Sequence, residues 1–386
     1  MSKLKLKYFL SIFLVSVLAL TLAPVVAEMQ FNRLSSEKEV FISEDLQNFH
    51  EELFIADLHA DSLLWKRNLR QKSYRGHVDI PRLREGNMGF QYFTVVTKSP
   101  KNLNIKANKG DSDNITTLAM AQLWPPKTWY SLFERAVYQA ELLQKYVAKD
   151  GKMILIKNRS DLENFLRKRR MDPRWMGVSL GLEGAHAIQD NLEEHFKKLV
   201  GLGYTMMGPV HLFDNEIAGS MQGFEKGGLS DKGERFVALA NQYNVSIDLA
   251  HASIPTIKDV LKLSTKPLIV SHTGLRGHCP NNRNLPDDLA KEIVSKGGLI
   301  GIGFWPTAMC GNEVDNIVSA MRYAVDLLGV DNVALGSDFD GAVAVPFTVN
   351  KINYLSQRLM DHGFSKSEIQ KIMGANALAF MAKNLP

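Results

Sequence analysis

Beyond residue 45 the sequence alternates between short apolar runs rich in β-branched residues and longer stretches with helical periodicity. Strands that alternate with helices indicate a parallel sheet, and a run as continuously apolar as residues 298–304 is typical of a strand buried on both faces. Eight such strands suggest a closed barrel, so we predict the α/β class and a (β/α)8 TIM-type barrel. Helices are predicted between most strands, for example at 232–243 and 314–328. The predicted strands are residues 54–59, 89–96, 175–183, 204–211, 246–251, 268–272, 298–304 and 332–338.

The chain has 386 residues, and a barrel often occupies that length as one domain. We therefore predict a single catalytic domain over residues 28–386, with an insertion at about 98–150 that contains a helix near 130–146. Insertions that follow barrel strands lie on the catalytic face, so this one is expected to shape the substrate pocket. The capping box formed by Ser365 and Glu368 predicts a last helix that runs to about Ala382.

The N-terminal segment differs in character from the rest of the chain. Lysines within the first seven residues precede an uncharged run at 8–27, in which Val25 and Ala27 occupy the −3 and −1 positions of a cleavage site. This pattern predicts a signal peptide at 1–27 and hence an exported protein, periplasmic or secreted. The alternative is an uncleaved helix that tethers the protein to a membrane, because the run approaches the ~20 residues that a bilayer requires. We favour cleavage.

Charge and cysteine content exclude several classes of protein. The net charge of +5 is spread along the chain without a basic block, so no nucleic-acid partner is expected. The chain has two cysteines, Cys279 and Cys310, which excludes a disulfide framework and a zinc ribbon built from thiolates. The two cysteines form either one disulfide bridge or a pair of buried thiols. We favour the thiols, because a domain of this size does not depend on a disulfide.

Ionisable residues stand at the ends of the predicted strands, where a barrel carries its active site. His59 and Asp61 are spaced i, i+2, so both side chains point the same way from an extended strand. His251 and His272 end adjacent strands, and Glu183 ends a buried one, where an unpaired carboxylate is costly. Each histidine alone is more often a hydrogen-bonded core residue than a ligand. Together these residues predict a metal centre, in which a carboxylate is able to bridge two ions.

Nitrogen and oxygen donors suit zinc, manganese or iron. The lack of thiolates among the candidate ligands favours a catalytic centre over a structural one. Two ions held close together would bind a hydroxide between them and polarise a carbonyl group. The predicted reaction is therefore the hydrolysis of an amide or an ester.

Further polar residues near the strand ends indicate how a substrate is handled. Asp338 is placed for general acid–base catalysis. Asp340 is the alternative for that role, but it precedes a glycine and is expected to cap the loop. His211 is a candidate donor to a developing oxyanion, or alternatively a partner of a metal ligand. Arg283 follows the strand that ends at His272, and its guanidinium would bind a substrate carboxylate through paired hydrogen bonds. A lone loop arginine is otherwise usually solvated.

Seven short segments, taken in order, resemble the membrane dipeptidase family, a branch of the metal-dependent amidohydrolase superfamily. Each motif is short, but their order makes the resemblance specific, and it extends from about residue 50 to 382. It implies a dipeptide substrate and leaves open both tolerance of a D-residue at the C-terminal position and a homodimeric state. The segments are DLHAD (57–61), GLEGAH (181–186), HLFDN (211–215), DLAHAS (248–253), VSH (270–272), RNLPDD (283–288) and GSDFDG (336–341).

The resemblance also implies a ligand set and a cofactor. His59 and Asp61 would bind one zinc ion, and His251 and His272 would bind a second. Glu183 would bridge the two Zn2+ ions. The choice of this bridge and of these pairs comes from the resemblance, not from the spacing of the residues.

For the substrate, the resemblance implies that His211 contacts the substrate or its tetrahedral intermediate, Arg283 binds the free carboxylate and Asp338 transfers the proton. Residues 207–210 depart from the Thr-Leu-Thr-like run of many relatives, and the insertion at 98–150 matches no family motif. Both departures concern the range of substrates more than the chemistry. A lactonase-like or phosphotriesterase-like hydrolase is the alternative within the superfamily, although such barrels commonly carry His-x-His on the first strand. A non-catalytic exported barrel is the weakest alternative.

Overall fold

The computed structural model describes residue 8, residues 22–36 and residues 38–386, and its central feature is a ring of parallel strands. The strands are β1 (Ile55–Ala60), β2 (Met88–Val96), β3 (Met153–Leu155), β4 (Met176–Glu183), β5 (Tyr204–Met207), β6 (Ser246–Ile247), β7 (Ile269–Thr273), β8 (Leu299–Ile302) and β9 (Val333–Leu335). They pair in the order β6-β5-β4-β2-β1-β9-β8-β7, and a parallel bridge between Asp248 and Ile269 joins the two ends of this path. The predicted (β/α)8 barrel is confirmed, with β3 outside the ring against β4.

Helices surround the ring, and local chemistry sets their limits. The helices predicted at 232–243 and 314–328 are confirmed at Asp231–Tyr243 and Val314–Leu328. The Ser230 side chain accepts a hydrogen bond from Gly233 N at the start of the first of these helices, and Asn244, with a φ of 53°, ends it. The helices are α1 (Glu44–Glu52), α2 (Ile80–Glu85), α3 (Asn114–Ala121), α4 (Lys127–Tyr130), α5 (Leu132–Asp150), α6 (Arg159–Met171), α7 (Leu192–Leu202), α8 (Asp231–Tyr243), α9 (Ile254–Leu263), α10 (Asp287–Ser295), α11 (Pro306–Met309), α12 (Val314–Leu328), α13 (Asn353–Asp361), α14 (Lys366–Gln370) and α15 (Asn376–Asn384).

The C-terminal helix begins at the predicted capping box, in which Ser365 and Glu368 each bind the other's backbone N–H. It is not continuous, because a π-helical turn at Lys371–Ala375 separates α14 from α15. Gly374 in this turn passes so close to β1 that an added Cβ would lie 2.1 Å from the carbonyl oxygen of Phe54. The kink therefore lies where the helix packs closely against the start of the first strand of the ring.

Several predicted boundaries were wrong at the carboxyl ends of the strands. β5, β6 and β9 are shorter than predicted, because the backbone turns out of the sheet before the polar residue is reached. His251 and Asp338 both adopt left-handed backbone conformations, with φ of 66° and 60°. The strand β3 was missed, since three residues are too few to show a periodicity. The helix predicted near 130–146 is observed as α5, preceded in the insertion by α3 and α4.

The prediction of two buried thiols was wrong. Cys279 and Cys310 form a disulfide, with their Cα atoms 5.4 Å apart. They lie in the segments that follow β7 and β8, which are neighbours in the ring, so the fold brings their backbones together at one rim. The bond ties the loop that contains Arg283 to the segment that contains Trp305. The size of the hydrophobic core was therefore the wrong criterion for predicting the state of the cysteines, because the disulfide links two loops at the rim of the barrel.

The predicted signal peptide at 1–27 lies largely outside the described residues. Residues 22–31 are helical, and Pro24, Glu28 and Asn32 on one face of this segment are buried. Within the part of the chain that the structure describes, no helix combines the length and the apolar character needed to cross a membrane.

Candidate metal centre

The five predicted metal ligands meet at the carboxyl end of the barrel. One carboxylate oxygen of Glu183, Oε1, lies 3.1 Å from His251 Nε2, 3.4 Å from His272 Nε2 and 3.6 Å from His59 Nε2. Asp61 Oδ1 lies 3.6 Å from the same His59 nitrogen. All five side chains are buried. Residues that are up to 213 positions apart (59 to 272) thus form one cluster with Glu183 at its middle.

A serine behind the cluster fixes the orientation of two of the histidines. Ser271 Oγ donates to Asp248 Oδ2 at 2.6 Å and lies 3.0 Å from His59 Nδ1 and 2.9 Å from His272 Nδ1. A hydroxyl has one proton and two lone pairs, so once its proton is given to the carboxylate both imidazoles must donate. Nδ1 is therefore protonated in both rings. His272 carries its proton there and directs the Nε2 lone pair at Glu183.

The third histidine is oriented by the loop after β5 and, through it, by the insertion. His251 Nδ1 lies 2.8 Å from the side-chain oxygen of Gln222, which as an acceptor requires a proton on Nδ1. The backbone oxygen of Gln222 accepts from Asn108 N at 2.8 Å, and Asn108 lies in the insertion. Burial, and then the charge of Arg283, lowers the pKa of His251, so its ring is neutral and Nε2 carries a lone pair. The insertion thus supports a candidate ligand.

These tautomers create a cluster of acceptors that calls for a cation. The Nε2 atoms of His251 and His272 are 3.1 Å apart, and both face Glu183 Oε1. Two lone pairs and a carboxylate oxygen at such distances repel one another, and a cation between them would relieve that repulsion. Imidazole nitrogens and carboxylate oxygens are the donors that zinc binds. The residues present therefore fit a divalent metal ion.

A second group of candidate ligands includes His59 and two further carboxylates. Ligand atoms of His59, Asp61 and Asp338 all lie within 4.8 Å of one another. Among the described residues, His59 Nε2 has no hydrogen-bond partner. Burial, opposed by His59 and reinforced by Asp61, raises the pKa of Asp338 to about 8. Burial and the charge of Asp61 raise that of Glu183 well above its usual range. A cation here would relieve the repulsion among these carboxylates.

Arg283 and His211 complete the wall of the cluster. Arg283 Nη2 donates to the backbone oxygen of His272 at 3.1 Å and lies 3.2 Å from His251 Nε2. Its guanidinium carbon lies 5.3 Å from the centre of the Trp305 ring. His211 Nε2 lies 3.2 Å from Glu183 Oε2. The structure thus brings His211 and Arg283, like the third predicted substrate-binding residue Asp338, to the cluster, and Arg283 is buried there instead of being solvated.

Asp340 points away from the cluster. Its carboxylate accepts hydrogen bonds from Ser62 Oγ and His77 N, both at 2.6 Å, and forms an ion pair with Arg67. These contacts support the expectation that Asp340 holds the loop instead of acting on a substrate. They also join the end of β1 to the loop after β9.

Sequence reasoning missed Ser271, Asp248 and Gln222. Ser271 and Asp248 lie inside motifs that were noticed, but only their histidine neighbours were considered. Asp248 is a buried acid at a strand end, which is the signal that identified Glu183 and would have identified it as well. Gln222 lies in an irregular loop, where no sequence pattern marked it.

A family model and two curated relatives match most of the chain. A model of the membrane dipeptidase family, peptidase family M19, matches residues 43–384. Dipeptidase aclJ of Aspergillus oryzae is 27% identical over 345 residues, which cover 84% of this chain and 76% of that protein. Dipeptidase verJ of Clonostachys rogersoniana is 26% identical over 313 residues, covering 79% and 75%.

Solved structures share the fold. The probable dipeptidase PvdM of Pseudomonas aeruginosa superposes with a TM-score of 0.74 at 18% identity, covering 89% of this chain and 98% of that one. A metallopeptidase of Rhodobacter sphaeroides, liganded with a phosphinate mimic of the dipeptide L-Ala-D-Ala, gives a TM-score of 0.67 at 22% identity, covering 86% and 99%. The match of the family model over most of the chain decides the assignment: the chain belongs to the membrane dipeptidase family, peptidase family M19, and is a metallo-dipeptidase of that type.

Proposed function

We propose that this protein hydrolyses the peptide bond of dipeptides with two zinc ions bound at the buried cluster. The observation that carries the proposal is the meeting of Glu183 with His59, His251 and His272, each with its Nε2 atom within 3.6 Å of one carboxylate oxygen. His59 and Asp61 would hold one ion, His251 and His272 the other, and Glu183 would bridge them. The neutral, Nε2-directed ring of His251 supports this assignment, since a metal ligand needs that lone pair.

Bound zinc would supply Lewis-acid polarisation of the scissile carbonyl and a water molecule of lowered pKa. Asp338, beside His59 and Asp61, would take a proton from the attacking water and pass it to the leaving amine. His211 would donate to the oxyanion as it develops. These side chains are buried, so charge interactions made among them are little screened by bulk water.

Arg283 would bind the free carboxylate of the substrate. Its guanidinium is buried beside the cluster, so an ion pair formed there is little screened by solvent. One terminal nitrogen is already occupied by the His272 carbonyl, which holds the group in place. A substrate longer than a dipeptide would place its carboxylate farther from the reacting bond. Arg283 Nη2 lies 3.2 Å from His251 Nε2, which lies 3.1 Å from Glu183 Oε1, and this short reach supports a preference for dipeptides.

We extend the proposal to the stereochemistry of the substrate. The relative from Rhodobacter sphaeroides was solved with a mimic of L-Ala-D-Ala. We infer that this chain also tolerates a D-residue at the C-terminal position, because the carboxylate, and not the side chain of that residue, would be the group fixed by Arg283.

Export to the periplasm or the exterior is also proposed. The pattern of residues 1–27 supports it, and so does the Cys279–Cys310 bond, since disulfides persist in oxidising compartments. The alternative to a cleaved signal peptide is a membrane tether through the N-terminal segment. The alternative to a monomer is the homodimer that is common in the family.

The function is tested with a panel of dipeptides, including L,D pairs, and with the purified full chain. We expect hydrolysis that chelation abolishes and that added zinc restores, because the cluster crowds together the imidazole nitrogens and carboxylate oxygens that zinc binds. An aryl phosphotriester and a lactone serve as comparison substrates. Faster turnover of either of these, or no dipeptide cleavage with zinc present, would refute the proposal.

The role of Arg283 is tested by pairing a variant with a modified substrate. In Arg283→Ala we expect the KM for an unblocked dipeptide to rise about 10- to 100-fold, because the variant loses a charge-assisted hydrogen bond to the substrate carboxylate. The same dipeptide with its C-terminus amidated should bind wild type and variant almost equally weakly. Arg283→Lys keeps the charge and should show an intermediate KM. An unchanged KM for the free acid in Arg283→Ala would rule out the assigned contact.

A further inference from the structure

The N-terminal segment contributes a buried acid to the interior of the protein. Glu28 is 1% exposed, and its carboxylate forms ion pairs with Arg67 and Arg75. Asn32, one helical turn further on, is 5% exposed. A carboxylate is buried in this way only where cations compensate its charge. The contact of Glu28 with the two arginines is therefore specific.

The partners of Glu28 lead directly to the loops of the metal cluster. Arg67 also forms an ion pair with Asp340, and the same Asp340 carboxylate accepts from Ser62 Oγ at 2.6 Å. Ser62 follows the candidate ligand Asp61, and Asp340 lies two residues after Asp338. Glu28 therefore holds Arg67 in place, and Arg67 in turn binds Asp340, the acid that links these two strand ends.

The loop that contains Asp338 adopts a conformation that needs external support. Asp338, Asp340 and Ala342 have φ of 60°, 63° and 59°, all in the left-handed region that side chains disfavour. Such residues persist where their surroundings hold them. Asn32 Oδ1 accepts from Ala342 N at 2.9 Å, so the N-terminal segment is part of those surroundings.

Backbone contacts extend the same support further along the loop. Ser35 N donates to Val345 O at 2.8 Å, and Val345 N donates to Arg33 O at 3.2 Å. Leu34 and Val345 form a parallel bridge. Residues 28–36, which we call the N-terminal strap, thus contact the loop from Ala342 to Val345 through both side chains and backbone.

We propose that the N-terminal strap holds the loop after β9 in the conformation that places Asp338 at the metal cluster, with Glu28 and Asn32 as positioning residues. This inference rests on the proposed function of Asp338. Glu28 directly follows the predicted processing site at Ala27, so cleavage there would leave the whole strap attached to the barrel. The first residues of the processed chain would then be part of the support of its active site.

The test uses three variants of the full chain: Glu28→Gln, Asn32→Ala and, as a control from the exposed side of the same helical segment, Gln30→Ala. We expect kcat for a dipeptide to fall about tenfold in the first two, because small misplacements of a catalytic group cost up to about 10²-fold. The KM and the zinc content should stay within about twofold of the wild type, since Arg283 and the metal ligands are not touched. Gln30→Ala should match the wild type.

A second readout separates positioning from a general loss of stability. Amide hydrogen exchange of residues 338–345 should accelerate in Glu28→Gln and Asn32→Ala, while exchange in β2 and β4 stays as in the wild type. Accelerated exchange throughout the barrel, or an unchanged kcat in both variants, would overturn the proposal. If the wild type cleaves no dipeptide, the proposed function fails. The exchange experiment then decides about the strap alone, and unaltered exchange at 338–345 would refute it.

Discussion

Glu183→Gln is expected to abolish dipeptide hydrolysis and to remove both metal ions at once. Glu183 Oε1 is the atom that three imidazoles face, and an amide carries no negative charge to hold two cations. Since metal assistance supplies several kcal/mol, we expect kcat/KM to fall by at least about 10³-fold. Activity and zinc content, measured on the same preparation, check the prediction.

In the metal-free protein, Glu183→Gln is not expected to lower stability. Burial raises the pKa of Glu183, so the folded protein resists its ionisation and a neutral isostere removes that cost. We expect the metal-free variant to melt no lower than metal-free wild type, while the rise in Tm on zinc addition is lost. Glu193→Gln, which changes an exposed acid paired with Arg235, serves as the control. A variant that keeps the zinc-dependent rise in Tm would contradict the bridging role.

Asp338→Asn is expected to lower kcat by about 10²- to 10⁴-fold, the usual contribution of a general acid–base residue. Zinc content and KM should change little, because the ligands proposed for the ions and the carboxylate contact of Arg283 remain. Measuring kcat, KM and zinc together separates proton transfer from metal binding.

An alternative outcome is built into the geometry of Asp338. Its carboxylate lies with His59 and Asp61 within 4.8 Å, so it is also near enough to serve as a ligand. Loss of one zinc ion per chain in Asp338→Asn would assign it to the metal and refute its role as the proton shuttle. Asp331→Asn, an exposed carboxylate paired with Lys371, is the matched control and should behave as wild type.

The barrel and the meeting of the candidate ligands could be predicted because each depends on a short stretch of sequence. A buried parallel strand must be apolar, and a polar residue at its end is exceptional, so His59, Glu183 and His272 are marked individually. The closed ring then brings these ends together. Nothing more than the order of the strands was needed to expect that the residues meet.

The supporting contacts could not be predicted, because they depend on how loops are placed relative to one another. Gln222 contacts His251 across 29 residues, and Glu28 pairs with Arg67 across an even longer separation. The disulfide was misjudged for a related reason: its two loops become neighbours only when β7 and β8 pair. The predicted C-terminal ends of the strands lie beyond the observed ends where the backbone adopts a left-handed conformation, as at His251.

The hydroxyl of Ser271 accepts hydrogen bonds from two rings of the cluster, those of His59 and His272. A single oxygen atom thus sets the rotation of two side chains that we propose as ligands of different ions. A substitution of Ser271 is therefore expected to alter the binding of both proposed ions together, and not of one alone.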